Sequence, residues 1–123
     1  MKVTYEKIVR ANNALDKLRD ERMSNESASK LFLLKKVLAT PFEFYSDREK
    51  TLCAQSGGKL NGNTLLFGKG MDDQRIKFVN GMNELNAMET EVDWDPCIIS
   101  DDIPMSWGIA YDLSEFVSFE RGE

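Results

Sequence analysis

The chain has 123 residues, a mass of 14.0 kDa, 41% hydrophobic and 30% charged residues, and a net charge of −5. That length suits one domain, residues 1–123, around one core of modest size, and the acidic balance argues against a general nucleic-acid binder, which needs a basic stripe. The chain has no histidine, which removes the commonest general acid–base and metal ligand and leaves no Ser or Cys with a His to activate it.

The first predicted element is a helix from Val3 to about Arg22. Thr4 is placed to cap it and Glu6 sits in the first turn, where negative charge suits the helix dipole. Ile8, Ala11, Leu15 and Leu18 recur at helical spacing as one apolar stripe. This opening segment has neither the apolar run nor the cleavage site of a signal peptide. The longest purely apolar run, Leu31-Phe32-Leu33-Leu34, is far too short to span a bilayer. A soluble, cytoplasmic protein with no membrane partner is therefore expected. Cys53 and Cys97 form no C-x-x-C pair, so reduced thiols are expected and a zinc site is not.

Met23 to Ser27 reads as a polar connection, with Asn25 or Ser27 as the next cap. Then Leu31, Leu34, Leu38, Pro41, Tyr45, Arg48 and Leu52 follow in alternating steps of three and four, a heptad-like seam. With a proline inside, this seam predicts an antiparallel helix pair rather than a coiled coil. Leu31, Leu34 and Leu38 have two ways to be covered, within the chain or by a second copy, so a homo-oligomer stays open. Pro41 removes one helical hydrogen bond, so a change of direction is expected near Thr40. Phe42 and Tyr45 are expected to face the core and Phe44 its edge; a partner-binding patch is the alternative.

Gly57 to Gly70 concentrates the breakers, and Asn61-Gly62 suits a type I′ turn. A small β-hairpin over residues 59–67 is predicted, leaning on the helices through Leu60, Leu65 and Phe67, because two strands alone are marginal in water. Gly57 to Thr64 also spells G-x-x-x-x-G-N-T, close to a phosphate-binding loop. However, Asn63 stands where that loop needs Lys, and the preceding segment reads as helix. The plain turn is the better reading.

Asp72 or Asp73 is predicted to cap a helix ending near Met88, with Ile76, Val79, Met82 and Leu85 on one face and Phe78 beside them. Gly81 would allow close helix approach. Glu91 to Pro96 reads as extended, Cys97-Ile98-Ile99 as a short β run, and Ser100 to Pro104 as a turn. A final helix is predicted from Tyr111 to Phe119 with Phe116 inward, and Trp94 and Trp107 as lids over the core. The fold expected is mainly α (α+β): an antiparallel helical hairpin, a β-hairpin at its tip, a returning helix and a mixed C-terminal segment.

Asp93, Asp95, Asp101 and Asp102, with Glu89 and Glu91 upstream, form the densest acidic group. Oxygen ligands suit Ca²⁺ or Mg²⁺, but the Gly and distal Glu of an EF-hand loop are missing. Nothing implies the cleft that paired glycosidase carboxylates need. No catalytic, cofactor-binding or metal-ligating residue is therefore assigned, and no cofactor is expected. The candidate interaction surface is Phe42, Phe44, Asp93, Trp94, Asp95, Asp101, Asp102 and Trp107, an acidic strip and aromatic patch fitted to a basic or aromatic-accepting partner.

Four segments carry a resemblance. They are NALDKL at Asn13 to Leu18, SDREKTL at Ser46 to Leu52, KFVNGMNELNAMETEVDWD at Lys77 to Asp95, and SDDIPMS…LSEFVSF between Ser100 and Phe119. In this layout, with a Gly/Asn-rich hairpin in the middle, the chain resembles small tailed-bacteriophage and prophage proteins of a family known only as a domain of unknown function. Pro41 and the aromatic cluster after it depart from that pattern. The resemblance implies a phage or prophage context, in the host cytoplasm or the virion. It also implies a non-enzymatic role by contact with a phage or host protein, in virion assembly or as a virion component. The alternatives are an acidic inhibitor of a host nucleic-acid-binding protein and, less favoured, a metal-dependent enzyme.

Overall fold

The computed structural model describes residues 1–61 and 64–120, with the side chains of 59–66 outside that description. The order is β1 (Lys2–Thr4), α1 (Tyr5–Leu18), α2 (Asn25–Gln55), β2 (Lys59–Asn61), β3 (Thr64–Leu66), α3 (Asp72–Ala87), β4 (Glu89–Glu91), β5 (Cys97–Ile99), α4 (Trp107–Leu113) and β6 (Val117–Phe119). The architecture is mainly α, with three two-stranded sheets among the described residues.

Thr4 caps α1 as expected, its side chain accepting from the Lys7 amide. The helix is shorter than the predicted span because Lys2–Thr4 pair with Glu89–Glu91 as antiparallel strands. Tyr5, Ile8, Ala11, Asn12, Ala14, Leu15 and Leu18 are all buried. They cover about half the helix circumference, wider than one stripe, because α2, α3 and α4 all pack on α1. The α1–α2 pair is antiparallel. Tyr5 at the start of α1 meets Phe44 late in α2, ring centroids 5.4 Å apart. Further along α1, Asn12 and Asp16 each accept from Lys35 at 2.7 Å.

Ser24, not Asn25 or Ser27, caps α2, accepting from the Ser27 amide. Leu31, Leu34 and Leu38 are buried within the chain, so the seam is filled by its own fold. The helix does not break at Thr40: α2 runs through Pro41 as one helix of 31 residues. Packing on both sides of the proline explains this. Phe42, Tyr45 and Leu52 lean on the core, Tyr45 donates to Asn86 of α3 at 2.8 Å, and Leu52 lies against the surface of Gly81, where an added Cβ would sit 3.3 Å away. Gly81 thus permits close helix approach, as read.

α2 ends in a Schellman motif, with Gly57 at φ +79 and bonds from Gly58 to Cys53 and from Gly57 to Ala54. A Cβ on Gly58 would lie 2.7 Å from the Cys53 sulfur and 2.9 Å from the Phe67 ring, so the hairpin returns tightly against the helix end. β2 and β3 form the predicted hairpin, but Asn61 pairs with Thr64. Asn61 therefore ends a strand rather than starting the turn. Gly62 and Asn63 lie outside the described residues, as do the side chains of Leu60 and Leu65. Phe67 meets Phe78 at 5.6 Å. A helix before this loop and a strand after it invert the setting of a phosphate loop.

α3 starts after Met71, which makes no side-chain cap bond; Asp72 and Asp73 sit inside the first turn. Met82 and Leu85 are buried, whereas Ile76 and Val79 are exposed, because only the second half of α3 meets α1 and α2. The C-terminal segment differs most from expectation. The helix is Trp107–Leu113, capped by Ser106, and residues 117–119 form a strand parallel to β5. Phe116 is fully buried as read. Parallel strands need a crossover connection, and α4 with its flanking loops supplies it.

Leu34 is fully enclosed, so Leu34→Ala is expected to lower unfolding free energy by about 2–5 kcal/mol in urea titrations. Pro41→Ala restores a backbone donor inside a continuous helix, and is expected to raise stability by up to about 3 kcal/mol in the same assay.

Candidate interaction surface

The structure separates the eight residues singled out in the sequence. Phe42 is partly buried against the core, and Phe44 is 46% exposed at its edge. Phe44 and Asp93 come together in one groove of about 450 Å³ that also takes in Tyr5, Val37, Pro41 and Val92. β4 brings Asp93 there by pairing with β1 at the head of α1. Trp94 packs on the core and its indole donates to the Phe116 carbonyl at 3.0 Å, as a lid should.

Asp101 turns to the start of α2, where its carboxylate accepts from the Ser24 amide at 2.6 Å. That backbone hydrogen bond, followed by bonds from the Ser24 and Ser27 hydroxyls, holds its pKa below the ordinary carboxylate value. Asp101 is thus a tie between the loop after β5 and the cap of α2. Asp95 and Asp102 are exposed. Among the described residues no three His, Cys, Asp or Glu side chains stand together as a metal-binding group. In the strip from Glu89 to Asp102, Asp101 alone is turned to the start of α2, at the surface.

Trp107 is not a lid. It is 93% exposed on the first turn of α4, and Tyr111, one turn on, is 70% exposed. Four residues apart, they share one helix face. Between α4 and β6 runs a groove of about 490 Å³ whose lining includes Trp107, Ala110, Tyr111, Ser114 and Phe119. Burying two large aromatic side chains is favourable, so a chain that leaves both in water exposes what recognition surfaces commonly use.

Charge is segregated along the chain. Residues 78–120 carry ten carboxylates and no Lys or Arg, whereas residues 1–77 carry fifteen basic and ten acidic side chains. Lys7 reaches Glu115 at 2.8 Å, and this bond raises the Lys7 pKa. The amino group of Met1 lies 3.4 Å from Glu91. Among the described residues no ion pair engages Asp93, Asp95, Asp112 or Glu120. Counting charge by segment would have revealed this asymmetry from sequence. Reading 111–119 as one helix concealed Tyr111 and the β6 edge, although Phe116-Val117-Ser118-Phe119 carries the aromatic and β-branched signal of a strand.

Among the described residues no helix is long and apolar enough to cross a membrane. No family model, curated protein or solved structure matches the chain.

A lowered carboxylate pKa contributes stability that is complete above the unfolded-chain value of roughly 4 and is lost as pH falls below it. Wild-type protein is therefore expected to lose more thermal stability between pH 5 and pH 3 than Asp101→Asn, as followed by circular dichroism melts of both (the pH limits bracket about 4).

Proposed function

We propose that this protein is a non-enzymatic interaction protein that engages a positively charged protein partner through its acidic C-terminal third. The observation that carries the reading is the charge segregation: ten carboxylates without one Lys or Arg over residues 78–120, a stretch that also holds the exposed pair Trp107 and Tyr111. A field of one sign steers an oppositely charged partner and raises its association rate. Exposed aromatics supply contact area and favourable stacking for cationic side chains. The phage-protein layout supports an accessory role of this kind, in virion assembly or as a virion component. Inhibition of a host nucleic-acid-binding protein would use the same carboxylates, but asks for them to form one continuous face at phosphate-like spacing.

Asp93, Asp95 and Glu120 are exposed, so reversing all three to Lys should leave the fold intact. In affinity capture from infected cells, the wild-type protein is expected to retain a basic protein that elutes with salt, and the triple variant to lose it. Equal recovery by the folded variant, unchanged by salt, would refute the reading.

A further inference from the structure

The chain has two tryptophans, and their indole N–H groups have different fates. Trp94 packs on the core and donates to the Phe116 carbonyl at 3.0 Å. Trp107 is 93% exposed, and among the described residues its indole makes no hydrogen bond. The Tyr111 hydroxyl, one turn on along the same helix face, makes none either. Both side chains border the groove between α4 and β6, together with Ala110, Ser118 and Phe119. None of the lining residues is charged. The groove thus offers aromatic faces and side-chain donors: an indole N–H, a phenol and serine hydroxyls.

This combination suits a ligand with free acceptors and stiff apolar rings. Val117 is 1% exposed and belongs to the core, so β6 is closed to a further strand. A helical ligand spends its carbonyls on its own hydrogen bonds. A polyproline II segment has no internal hydrogen bonds, so its carbonyls stay open to outside donors, and its prolines bring no N–H to leave unpaired. Such segments dock in aromatic-lined grooves and lose little entropy on binding. Charge selects what flanks the prolines. Tyr111 also borders a smaller cleft that holds Asp112 and Glu115. The two cations of that cleft, Lys7 and Arg10, are already paired, with Glu115 and Glu6 respectively. Among the described residues no ion pair engages Asp112.

We propose that the α4–β6 groove binds a proline-rich segment of the partner protein in the polyproline II conformation, with an arginine beside the prolines. This rests on the reading of the acidic third as a binding surface and names the form of its ligand. The prolines lie against Trp107, Tyr111 and Phe119. The indole N–H and the phenol donate to carbonyls of the segment, and the arginine faces Asp112. A second copy of the chain does not fit this description, because its three prolines, Pro41, Pro96 and Pro104, are scattered and its acidic third would meet another of the same sign.

The test titrates ¹⁵N-labelled full-length protein with an acetylated, amidated peptide of three Arg-Pro-Pro repeats, and with the same peptide carrying Gly for every Pro. Charge and length are then equal, and only stiffness and the rings differ. The expected result is that the Trp107 indole N–H signal, identified by its absence from Trp107→Ala, moves on titration while that of Trp94 stays. The glycine peptide should bind on the order of tenfold more weakly. Trp107→Ala, which removes a side chain outside the core, should keep the wild-type melting temperature and weaken the proline peptide on the order of tenfold. Asp112→Asn should lower the salt dependence of that binding.

Equal affinity for the proline and glycine peptides would overturn the polyproline reading and leave the acidic-surface reading standing. Failure of the proline peptide to bind, with the salt-sensitive basic partner still captured, would have the same effect. Full affinity in folded Trp107→Ala would overturn the choice of groove, and unchanged salt dependence in Asp112→Asn would overturn the placing of the arginine. Loss of charge dependence in the capture experiment would instead remove the underlying reading.

Discussion

Lys35 reaches from α2 to the side chain of Asn12, 2.7 Å away, and to Asp16 at the same distance. Asn12 is almost fully buried on the helix against which every other helix packs. An amide in that position is costly unless its hydrogen bonds are made. A charged donor makes the stronger kind. Sliding α2 by one turn would remove the ammonium from Asn12 and strand the amide among leucines. The contact therefore fixes how α1 and α2 meet, and with it the place of Leu31, Leu34 and Leu38 in the core they share with the α1 stripe. The surrounding apolar packing supplies most of the stability, and the polar contact selects one arrangement of it.

The small strands act as clasps between distant parts of the chain. β1 and β4 join residues 2–4 to residues 89–91, and the Tyr5 amide extends that tie to the Met88 carbonyl at 3.0 Å. Asp101 binds the loop after β5 to the cap of α2. The Trp94 indole binds the segment after β4 to the residue before β6. A two-stranded pair has little stability of its own, so the β1–β4 clasp depends on the helices beneath it, and it holds the C-terminal third to the start of α1. This is how an acidic segment with few internal cations stays folded: its carboxylates point outward while Val92, Ile99, Ile103, Leu113 and Phe116 point in.

Much of the helical frame is legible in the sequence, because period and caps are local signals. The α1 stripe, the Thr4 cap, the leucines of α2, Gly81 and the inward Phe116 follow from spacing and residue type. What is not legible depends on partners far along the chain. Lys2-Val3-Thr4 is a strand only because residues 89–91 arrive to pair with it, and three residues carry too little alternation to announce that. Pro41 reads as a break because its local cost is plain, whereas the packing of Tyr45 and Leu52 that overrides it is tertiary. Trp107 reads as a lid because tryptophan is usually covered; its exposure follows from Ser106 starting α4 one residue earlier. Of the candidate surface, Phe44, Asp93, Asp95, Asp102 and Trp107 are outward groups. Trp94 and Asp101 turn out to hold the fold together, and Tyr111 and the β6 edge come from the structure alone.

The half-circumference of apolar surface on α1 has a consequence for how the chain is made. Translation releases domains from the N-terminus onward, and α1 emerges first with two sides that need cover. α2 can close one side soon afterwards through contacts local in sequence. The other side waits for α4, and β1 waits for β4, both far along the chain. Contacts so distant in sequence are slow to close. Until those segments emerge, the chain carries part of the apolar surface of α1 next to an unpaired strand, a sticky intermediate that chaperones are suited to shield. The β1–β4 clasp closes only once residues 89–91 have left the tunnel, so the acidic segment also takes part in completing the fold.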